Sequence, residues 1–359
     1  MTMTRAAVFL AAGLCLFWLA AQSFAPARDG LRVAAARNDP VALADARLDQ
    51  TFTTARFAEG LDAALAAGDA DLARSFIELG RSRGLFASQA QQARLAALEA
   101  ASTDRAAADF AEGFLHGARD TGPAFAGALT GDLTGYGDLR DLWTEGEKVR
   151  RGETPDELVV GLATAGLALS VATWSSVGAA LPARSGLTLL KGAQKAGRLS
   201  RPLARSLVAA GAKAIDREAL TGAMAAAAKL DVAAARAAAT RVVKPGALAT
   251  FRLLGEDMAT LYRRAGARGA RDALALAEDG AELRKAARLA AARGAGTRAI
   301  LATLGRGALV FGGLTAAAVN AIFTFATTLL GLAMLARRLG VWLGRRLWPR
   351  VGKRAAGAF

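Results

Sequence analysis

The side chains that could carry out chemistry are concentrated in a Gly- and Asp-rich segment, residues 119–157. Carboxylates there could bind a divalent cation or act as a general acid and base. The candidates are Asp120, Asp132, Asp138, Asp141, Glu145 and Glu147. Their spacing does not match an EF-hand loop, whereas Asp138, Asp141 and Glu145 recur at i, i+3 and i+7, which is typical of one helix face. We interpret them as a solvated helix face, with an envelope hydrolase that uses these carboxylates as an alternative.

Other catalytic patterns are missing from the sequence. The chain has one histidine, His116, and one cysteine, Cys15. A single histidine leaves little room for Ser-His catalysis, and a single cysteine excludes a disulfide framework and a cysteine-rich zinc site. No phosphate loop, dinucleotide fingerprint or Gly-x-Ser-x-Gly elbow occurs. The sequence therefore predicts a protein that is not an enzyme, with no catalytic, cofactor-binding or metal-binding residues.

The chain begins with an apolar segment that is long enough to cross a membrane. Residues 6–27 follow Arg5 and carry no charge over 22 positions. As a helix they would span about 33 Å, against about 30 Å for a hydrocarbon core. The pattern is typical of a signal anchor or of a signal peptide cleaved near Ala25-Pro26-Ala27, and we assign residues 1–27 to one of these. In both cases the residues that follow should be exported.

A second uncharged segment lies near the other end, between Arg306 and Arg337-Arg338. It covers residues 308–336, and we predict a transmembrane helix over 307–337 followed by a basic tail over 338–359. Tryptophans interleaved with arginines are typical of the membrane–water interface. We expect contact with a lipid bilayer, through anionic headgroups, from Arg337, Arg338, Trp342, Arg345, Arg346 and Trp348.

The uncharged residues 158–181 allow two topologies. As a third span they would separate an acidic region from a basic one, but would also send the basic tail outward, against the positive-inside rule. Without that span both termini lie in the cytoplasm and residues 26–307 are exported whole. We favour two spans, with 158–181 forming a buried helical hairpin inside a segment that covers residues 119–183.

Charge divides the rest of the chain into two halves of opposite sign. Residues 26–157 hold 15 basic and 22 acidic side chains, whereas residues 182–306 hold 23 basic and 9 acidic ones. Within the acidic half, residues 28–118 have helical periodicity on both sides of Gly68-Asp69, which predicts a helix hairpin whose second helix is capped by Asp69.

The basic half, residues 184–306, predicts an Ala/Arg-rich helical block. It contains only Phe251 and Tyr262 as aromatic side chains, which argues against a base-stacking surface, and no nucleic-acid-binding motif is evident. We expect no nucleic acid partner. Contact with anionic lipid headgroups, or ordinary amphipathic packing without a partner, accounts for the basic charge.

Part of the chain resembles known sequences. The segment 131–203, with GDLTGYGDLRDLWTEGEKVRRGETPDE and GLTLLKGAQKAGRLSRP, and TRAILATLGRGAL at 297–309 resemble an uncharacterised family of proteobacterial inner-membrane proteins. The resemblance implies a helical inner-membrane protein and supplies no activity. The start at Gly131, followed by Gly152-Glu153 and an apolar segment, also looks like the helical pre-toxin segments of bacterial polymorphic toxins, although no toxin domain follows.

The sequence as a whole predicts an all-α, membrane-anchored protein. An N-terminal helix-hairpin module and an Ala/Arg-rich helical block lie between hydrophobic end segments, and the body faces the periplasm. We expect a non-catalytic envelope scaffold or interaction protein whose protein partner the sequence does not identify. The alternatives are a membrane-active effector or pore-forming component with 158–181 inserted, and the envelope hydrolase.

Overall fold

A computed structural model describes residues 3–100, 136–175, 181–214 and 245–347, together with single positions between 216 and 241. All regular secondary structure in these residues is helical, which confirms the all-α fold for this part of the chain. The chain divides into two compact units. The first combines Met1–Asn38 with Phe311–Phe359, and the second is Asp39–Val310. His116 and Trp348 lie outside the described residues.

The first unit is an antiparallel pair of long helices, α1 (Met3–Ala35) and α12 (Ala316–Leu347). Gly13 of α1 lies against Leu335 of α12. Gly30, further along α1, lies against Ala318, near the start of α12. The two helices therefore run in opposite directions, so the start of α1 and the end of α12 lie at the same end of the pair.

Small side chains form the seam between α1 and α12. Ala20, Ser23 and Ala27 are buried in α1, and Ala321 and Thr328 are buried in α12. Spacings of three and four residues keep such positions on one face of a helix, and small side chains let two backbones approach closely. The Ser23 hydroxyl donates to the carbonyl oxygen of Leu19 at 2.7 Å, so the polar atom is satisfied without water.

Of the described residues, these two helices are long and apolar enough to cross a membrane. Their boundaries differ from the expected ones. Helix α1 continues past residue 27 to Ala35, and α12 begins at Ala316 instead of at residue 307. The later start has a local cause, because Gly313 has a φ of 105° and Thr315 accepts a hydrogen bond from the backbone N–H of Ala318 at 3.1 Å. Both features are typical of chain outside a helix.

The second unit begins with three capped helices, α2 (Pro40–Thr51), α3 (Thr54–Ala66) and α4 (Ala70–Ser82). Gly68 has a φ of 69° between α3 and α4, and the Asp69 carboxylate accepts from the backbone N–H of Leu72 at 3.1 Å. The expected hairpin at Gly68-Asp69 is therefore confirmed. Its helices interlock, because the ring of Phe76 fills the space beside Gly60. Residues 89–100 are also helical.

The remaining helices of the second unit include one apolar helix and several that pack against it. They are α5 (Tyr136–Arg150), α6 (Glu157–Ser175), α7 (Leu181–Lys195), α8 (Arg201–Ala214), α9 (Pro245–Leu276, with a break at Gly266), α10 (Gly280–Arg293) and α11 (Thr297–Leu304). In α6 every residue from Leu158 to Leu167 is buried. A helix that is apolar on all sides needs partners all round, and α5, α7 and α8 pack against it.

The expected hairpin within 158–181 takes a different form. The segment is one helix through Ser175, and α7 starts at Leu181, so the second arm of the hairpin is α7 rather than the end of the apolar segment. The residues from Leu158 to Leu167 need no polar face, because other helices cover them. Burial of α6 within the second unit agrees with two spans rather than three.

Helices α7 and α9 cross at a pair of glycines. A Cβ atom built on Gly186 would lie 1.7 Å from the carbonyl oxygen of Gly255. One built on Gly255 would lie 2.0 Å from the carbonyl oxygen of Ala183. Only glycine permits this approach, and the crossing fixes α7 relative to α9.

The substitutions Gly186→Ala and Gly255→Ala should each destabilise the protein by about 2 kcal/mol or more, because the backbones must separate and unpack the core around them. Gly280→Ala is the control, since its Cβ would meet only Leu254 at 4.0 Å. Thermal unfolding of the full chain in detergent, followed by circular dichroism, measures the difference. Equal unfolding temperatures for Gly186→Ala and Gly280→Ala would contradict the close crossing.

Candidate functional site

The residues expected to contact lipid lie along one stretch of α12. Arg337 and Arg338 are exposed and Trp342 is half-buried. Arg345 and Arg346 follow on the same helix, whereas Trp348 lies outside the described residues. Because α1 and α12 are antiparallel, these arginines lie at the same end of the pair as Arg5. Their contact with anionic headgroups stays a prediction.

The carboxylates expected on a solvated face are buried. Asp138, Asp141 and Glu145 do share one face of α5, but their relative exposures are 3%, 3% and 5%. The prediction of a solvated face is therefore wrong. The face packs against α6 and α7, and its counter-charges come from α7, about fifty residues later in the sequence.

Two lysines of α7 bind two aspartates of α5. Lys191 Nζ donates to Asp138 Oδ1 at 2.5 Å and lies 2.8 Å from Asp141 Oδ2. Lys195 donates to the other oxygen of Asp141. Arg184 adds a third cation, 3.9 Å from Asp138 Oδ2. We call these five residues the α5–α7 cluster.

A glycine of α6 makes room for this cluster. A Cβ atom on Gly166 would lie 2.5 Å from Asp138 Oδ2, so the helix backbone itself closes the cluster on that side. Lys191 is 1% exposed and Arg184 is 2% exposed, which separates their charges from bulk water. Charges this deeply buried are tolerated only when they are paired and hydrogen-bonded.

The loop between α5 and α6 is tied to the same face. Glu145 accepts from Lys148 at 2.8 Å and from the backbone N–H of Asp156 at 2.7 Å. Asp156 accepts from the backbone N–H of Leu158 at 3.0 Å, which caps α6, and its other oxygen accepts from Gln194 at 2.9 Å. Each carboxylate on this face therefore holds two elements together.

The electrostatics of the α5–α7 cluster favour the charged state. Burial alone would raise the pKa of Asp141, but the charges and hydrogen bonds of Lys191 and Lys195 outweigh it, so its pKa lies below the usual value. An ionised carboxylate can accept hydrogen bonds but not donate a proton. Among the described residues, no group of three or more His, Cys, Asp or Glu side chains could hold a metal ion. The arrangement is suited to joining α5 to α7.

The sequence did not lead us to predict the cations of the cluster, although their spacing is regular. Arg184, Lys191 and Lys195 recur at i, i+7 and i+11, which places them on one face of α7. The matching acidic period on α5 is i, i+3 and i+7. Two helices with complementary periods on either side of an apolar helix indicate pairing, whereas either period alone is typical of a solvated face.

A second network of ion pairs also joins the acidic half of the sequence to the basic half. Arg298 binds Asp69 with two hydrogen bonds, of 2.9 and 3.0 Å, and its Nε donates to Asp272 at 2.7 Å. Arg268 also donates to Asp69 at 2.9 Å, and Arg293 pairs with Asp45. Much of the charge difference between the halves is thus neutralised inside the protein.

The pKa of Asp69 reflects this network. Burial by itself would raise the pKa, but hydrogen bonds from Arg298 and from the backbone N–H of Leu72, with the charges of Arg298 and Arg268, lower it from 3.8 to about 2. Asp69 therefore stabilises the fold as a carboxylate, both as the cap of α4 and as the partner of α11.

Comparison with protein-family models, with curated proteins and with solved structures gave no match. The resemblance to inner-membrane proteins and to pre-toxin segments therefore has only the quoted residues as its support.

Replacement of Lys191 by alanine should destabilise the protein by about 3–5 kcal/mol, because Asp138 and Asp141 would keep buried charges without their shared partner. Arg56→Ala is the control, since Arg56 makes an i,i+3 pair with Glu59 in which both side chains are exposed, and such pairs contribute about 1 kcal/mol or less. Urea unfolding of the full chain in detergent compares the two. Similar losses for both variants would show that the α5–α7 cluster is not buried as described.

At acidic pH, Asp69 should no longer contribute to the free energy of unfolding. The folded-state pKa of Asp69 lies below its ordinary value, so its stabilisation is fully present above about pH 3.8 and is lost as the pH falls towards 2. Asp69→Asn keeps a capping oxygen but loses the charge. Across this window the variant should lose less stability than the native protein in urea unfolding. Parallel pH profiles would contradict the pairing with Arg298.

Proposed function

We propose that this chain is an integral protein of the inner membrane, anchored by the α1–α12 pair, whose second unit acts in the periplasm as a non-catalytic scaffold or interaction module. The observation that carries the proposal is the pair itself, in which two long helices bury small residues against each other and leave large apolar side chains outside. The following contacts and charges support each part of the proposal.

The outward surface of the pair is suited to lipid. It includes exposed Val8, Leu10, Leu14, Phe17, Trp18, Phe24, Val319, Phe323, Leu329, Leu330 and Met334. Only 11% of the most apolar window of each helix is buried, unlike the core helix of a water-soluble protein. An apolar surface of this extent marks a membrane or protein contact site. In lipid, close packing of small residues is what holds helices together, and the seam has that composition.

The lengths agree with a bilayer. Residues 6–27 of α1 and residues 316–336 of α12 carry no charge. At 1.5 Å per residue these stretches measure about 33 and 32 Å, close to the hydrocarbon thickness of about 30 Å. Thr328 in the seam donates to the carbonyl oxygen of Thr324 at 2.9 Å, so its hydroxyl needs no water.

The distribution of charge favours one orientation. Arg5, Arg337-Arg338 and Arg345-Arg346 lie towards the end of the pair where α1 begins and α12 ends, with no acidic residue among them. The opposite end combines Arg28 with Asp29, which form an ion pair of 2.9 Å. Positively charged flanks stay in the cytoplasm. This supports cytoplasmic termini and an exported second unit.

The structure of α1 favours an anchor over a cleaved signal peptide. The helix passes without interruption through Ala25-Pro26-Ala27 and continues to Ala35. Ala27, at the candidate cleavage site, is 1% exposed and lies in the seam with α12. Cleavage there would remove most of the helix against which α12 packs.

Insertion of residues 158–181, which a pore-forming component would need, has less support. Helix α6 is apolar enough to enter lipid, but its Gly166 packs directly against the Asp138 carboxylate of the α5–α7 cluster. If α6 moved out of the second unit into lipid, the buried aspartates and lysines of the cluster would lose the helix that covers them. Disrupting buried ion pairs costs several kcal/mol. The interaction-module proposal requires no such rearrangement.

Cysteine labelling tests the proposed topology. In a Cys15→Ser background, Ser88→Cys places a thiol at an exposed position of the second unit, and Ala355→Cys places one in the basic tail. In spheroplasts of a bacterial host, a membrane-impermeant maleimide should label position 88 and should label position 355 only after lysis. The membrane fraction should retain both variants in alkaline carbonate.

Two results would overturn the proposal. Labelling of both positions from the same side would exclude a pair of spans that leaves the second unit outside. Release of the intact chain by carbonate, as a monodisperse protein without detergent, would exclude the anchor.

A further inference from the structure

One polar side chain lies in the apolar outward surface of the α1–α12 pair. Gln22 of α1 is exposed, between the exposed rings of Trp18 and Phe24. Its amide makes no hydrogen bond with any residue that the structure describes. Gln22 lies about 9 Å along the helix from Arg28, which is the first charge after the uncharged stretch. In the proposed bilayer the amide is therefore surrounded by lipid chains, which offer no hydrogen bond.

The backbone of Gln22 has the same need. Pro26 lies inside α1 and has no N–H, so the carbonyl oxygen of Gln22, four residues earlier, lacks its helical donor. In hydrocarbon such a carbonyl group is costly, and groups from neighbouring helices satisfy it. The hydroxyls of Ser23 and Thr328 do not do so, because they donate to carbonyl oxygens of Leu19 and Thr324.

Gln22 belongs to a regular line of exposed residues along α1. Its members alternate in spacing by four and three residues: Ala11, Cys15, Trp18, Gln22 and Ala25. This spacing is the one by which a helix packs lengthwise against another helix. The line that contacts α12, with Ala20, Ser23 and Ala27, lies about 160° away around the helix axis, at 3.6 residues per turn. We call the exposed line the Gln22 face.

The chemistry of the Gln22 face is complementary to itself. All inserted copies of a chain have the same orientation, so two copies related by a two-fold axis along the membrane normal bring each residue to its own counterpart. An amide holds both a donor and an acceptor, which makes it complementary to an identical amide. Two Gln22 side chains can donate to each other, and the second N–H of each amide is free for the carbonyl oxygen that Pro26 leaves without a donor.

We propose that two copies of this chain associate in the membrane through the Gln22 face of α1. The proposal rests on the proposed membrane function, because in water the solvent would satisfy the amide. Small residues on both sides of Trp18 let the two helices approach, and the paired amides fix which residues meet. Helix α12 then packs on the side of each α1 that is turned away from the other copy.

Asn320 of α12 provides a matched control. It is also exposed, and its amide has no hydrogen-bond partner in the described part of the chain. Its depth is different. Ala318, two residues earlier, lies against Gly30, which follows the charged Asp29. Asn320 is therefore level with the charged boundary of the pair, where water can satisfy an amide.

Cys15, the one cysteine of the chain, reports on the association. It precedes Gln22 by seven residues on the same face, so paired copies bring their Cys15 thiols together. The full chain is reconstituted into phosphatidylcholine liposomes at a low ratio of protein to lipid and oxidised with copper phenanthroline. A non-reducing gel should show a disulfide-linked dimer. In a Cys15→Ser background, Phe17→Cys places an exposed thiol on another side of α1 and should give little dimer.

Substitutions of the two amides locate the contact. Gln22→Leu should lower the dimer fraction by about threefold or more, because the shared hydrogen bonds are lost. Gln22→Asn keeps an amide and should retain more dimer than Gln22→Leu. Asn320→Leu should give the native yield. Extraction with alkaline carbonate is measured for every variant, and each should stay in the membrane, which separates a failure to associate from a failure to insert.

Three results would overturn the proposal. Equal dimer yields from the native chain and Gln22→Leu would show that the amide does not hold the copies together. Equal yields from Cys15 and from Phe17→Cys would indicate random collision. A disulfide from Cys15 to a different protein in host membranes, with none between copies in liposomes, would assign the Gln22 face to that protein. Release of the native chain by carbonate would instead overturn the proposed function on which the association rests.

Discussion

The second unit depends on attraction between two halves of the sequence that carry opposite charge. Asp69 meets Arg298, Asp45 meets Arg293, and Asp138 meets Lys191. Each pair joins residues that are at least fifty positions apart, so each also closes the chain on itself. Because burial makes unpaired charges costly, these contacts select one arrangement of helices among the many that Ala-rich amphipathic sequences allow. The apolar side chains of the same helices then pack together between these ion pairs.

The first unit follows a different rule, because its outward surface is apolar. In water, a helix pair with Phe17, Leu14 and Phe323 outside would aggregate, whereas in lipid the same surface has no cost. The seam of Ala27, Ala321 and their small neighbours is what remains to hold the helices together. One chain thus combines a unit stabilised by apolar burial and internal ion pairs with a unit whose outward surface is apolar enough to suit a bilayer. The proposed membrane function arises from this combination rather than from any reactive group.

The sequence predicts features whose cause is local. Uncharged runs of over twenty residues predict α1 and α12, and Gly68-Asp69 predicts the α3–α4 turn, because hydropathy and capping act within a few positions. The α5–α7 cluster could not be predicted in this way. In the sequence Asp138 resembles a solvent-exposed helical residue, and only the fold brings Lys191 into contact with it. The predicted start of α12 at residue 307 is nine residues too early, because an apolar composition does not reveal the break at Gly313.

The coupling free energy between Asp69 and Arg298 tests the central claim most directly. A double-mutant cycle with Asp69→Asn and Arg298→Gln, measured by urea unfolding in detergent near pH 7, isolates the interaction between the acidic and basic halves from other effects of each substitution. A coupling of about 1–3 kcal/mol is expected for a bidentate, partly buried pair. Losses that add within about 0.5 kcal/mol would show that the two halves do not depend on this attraction.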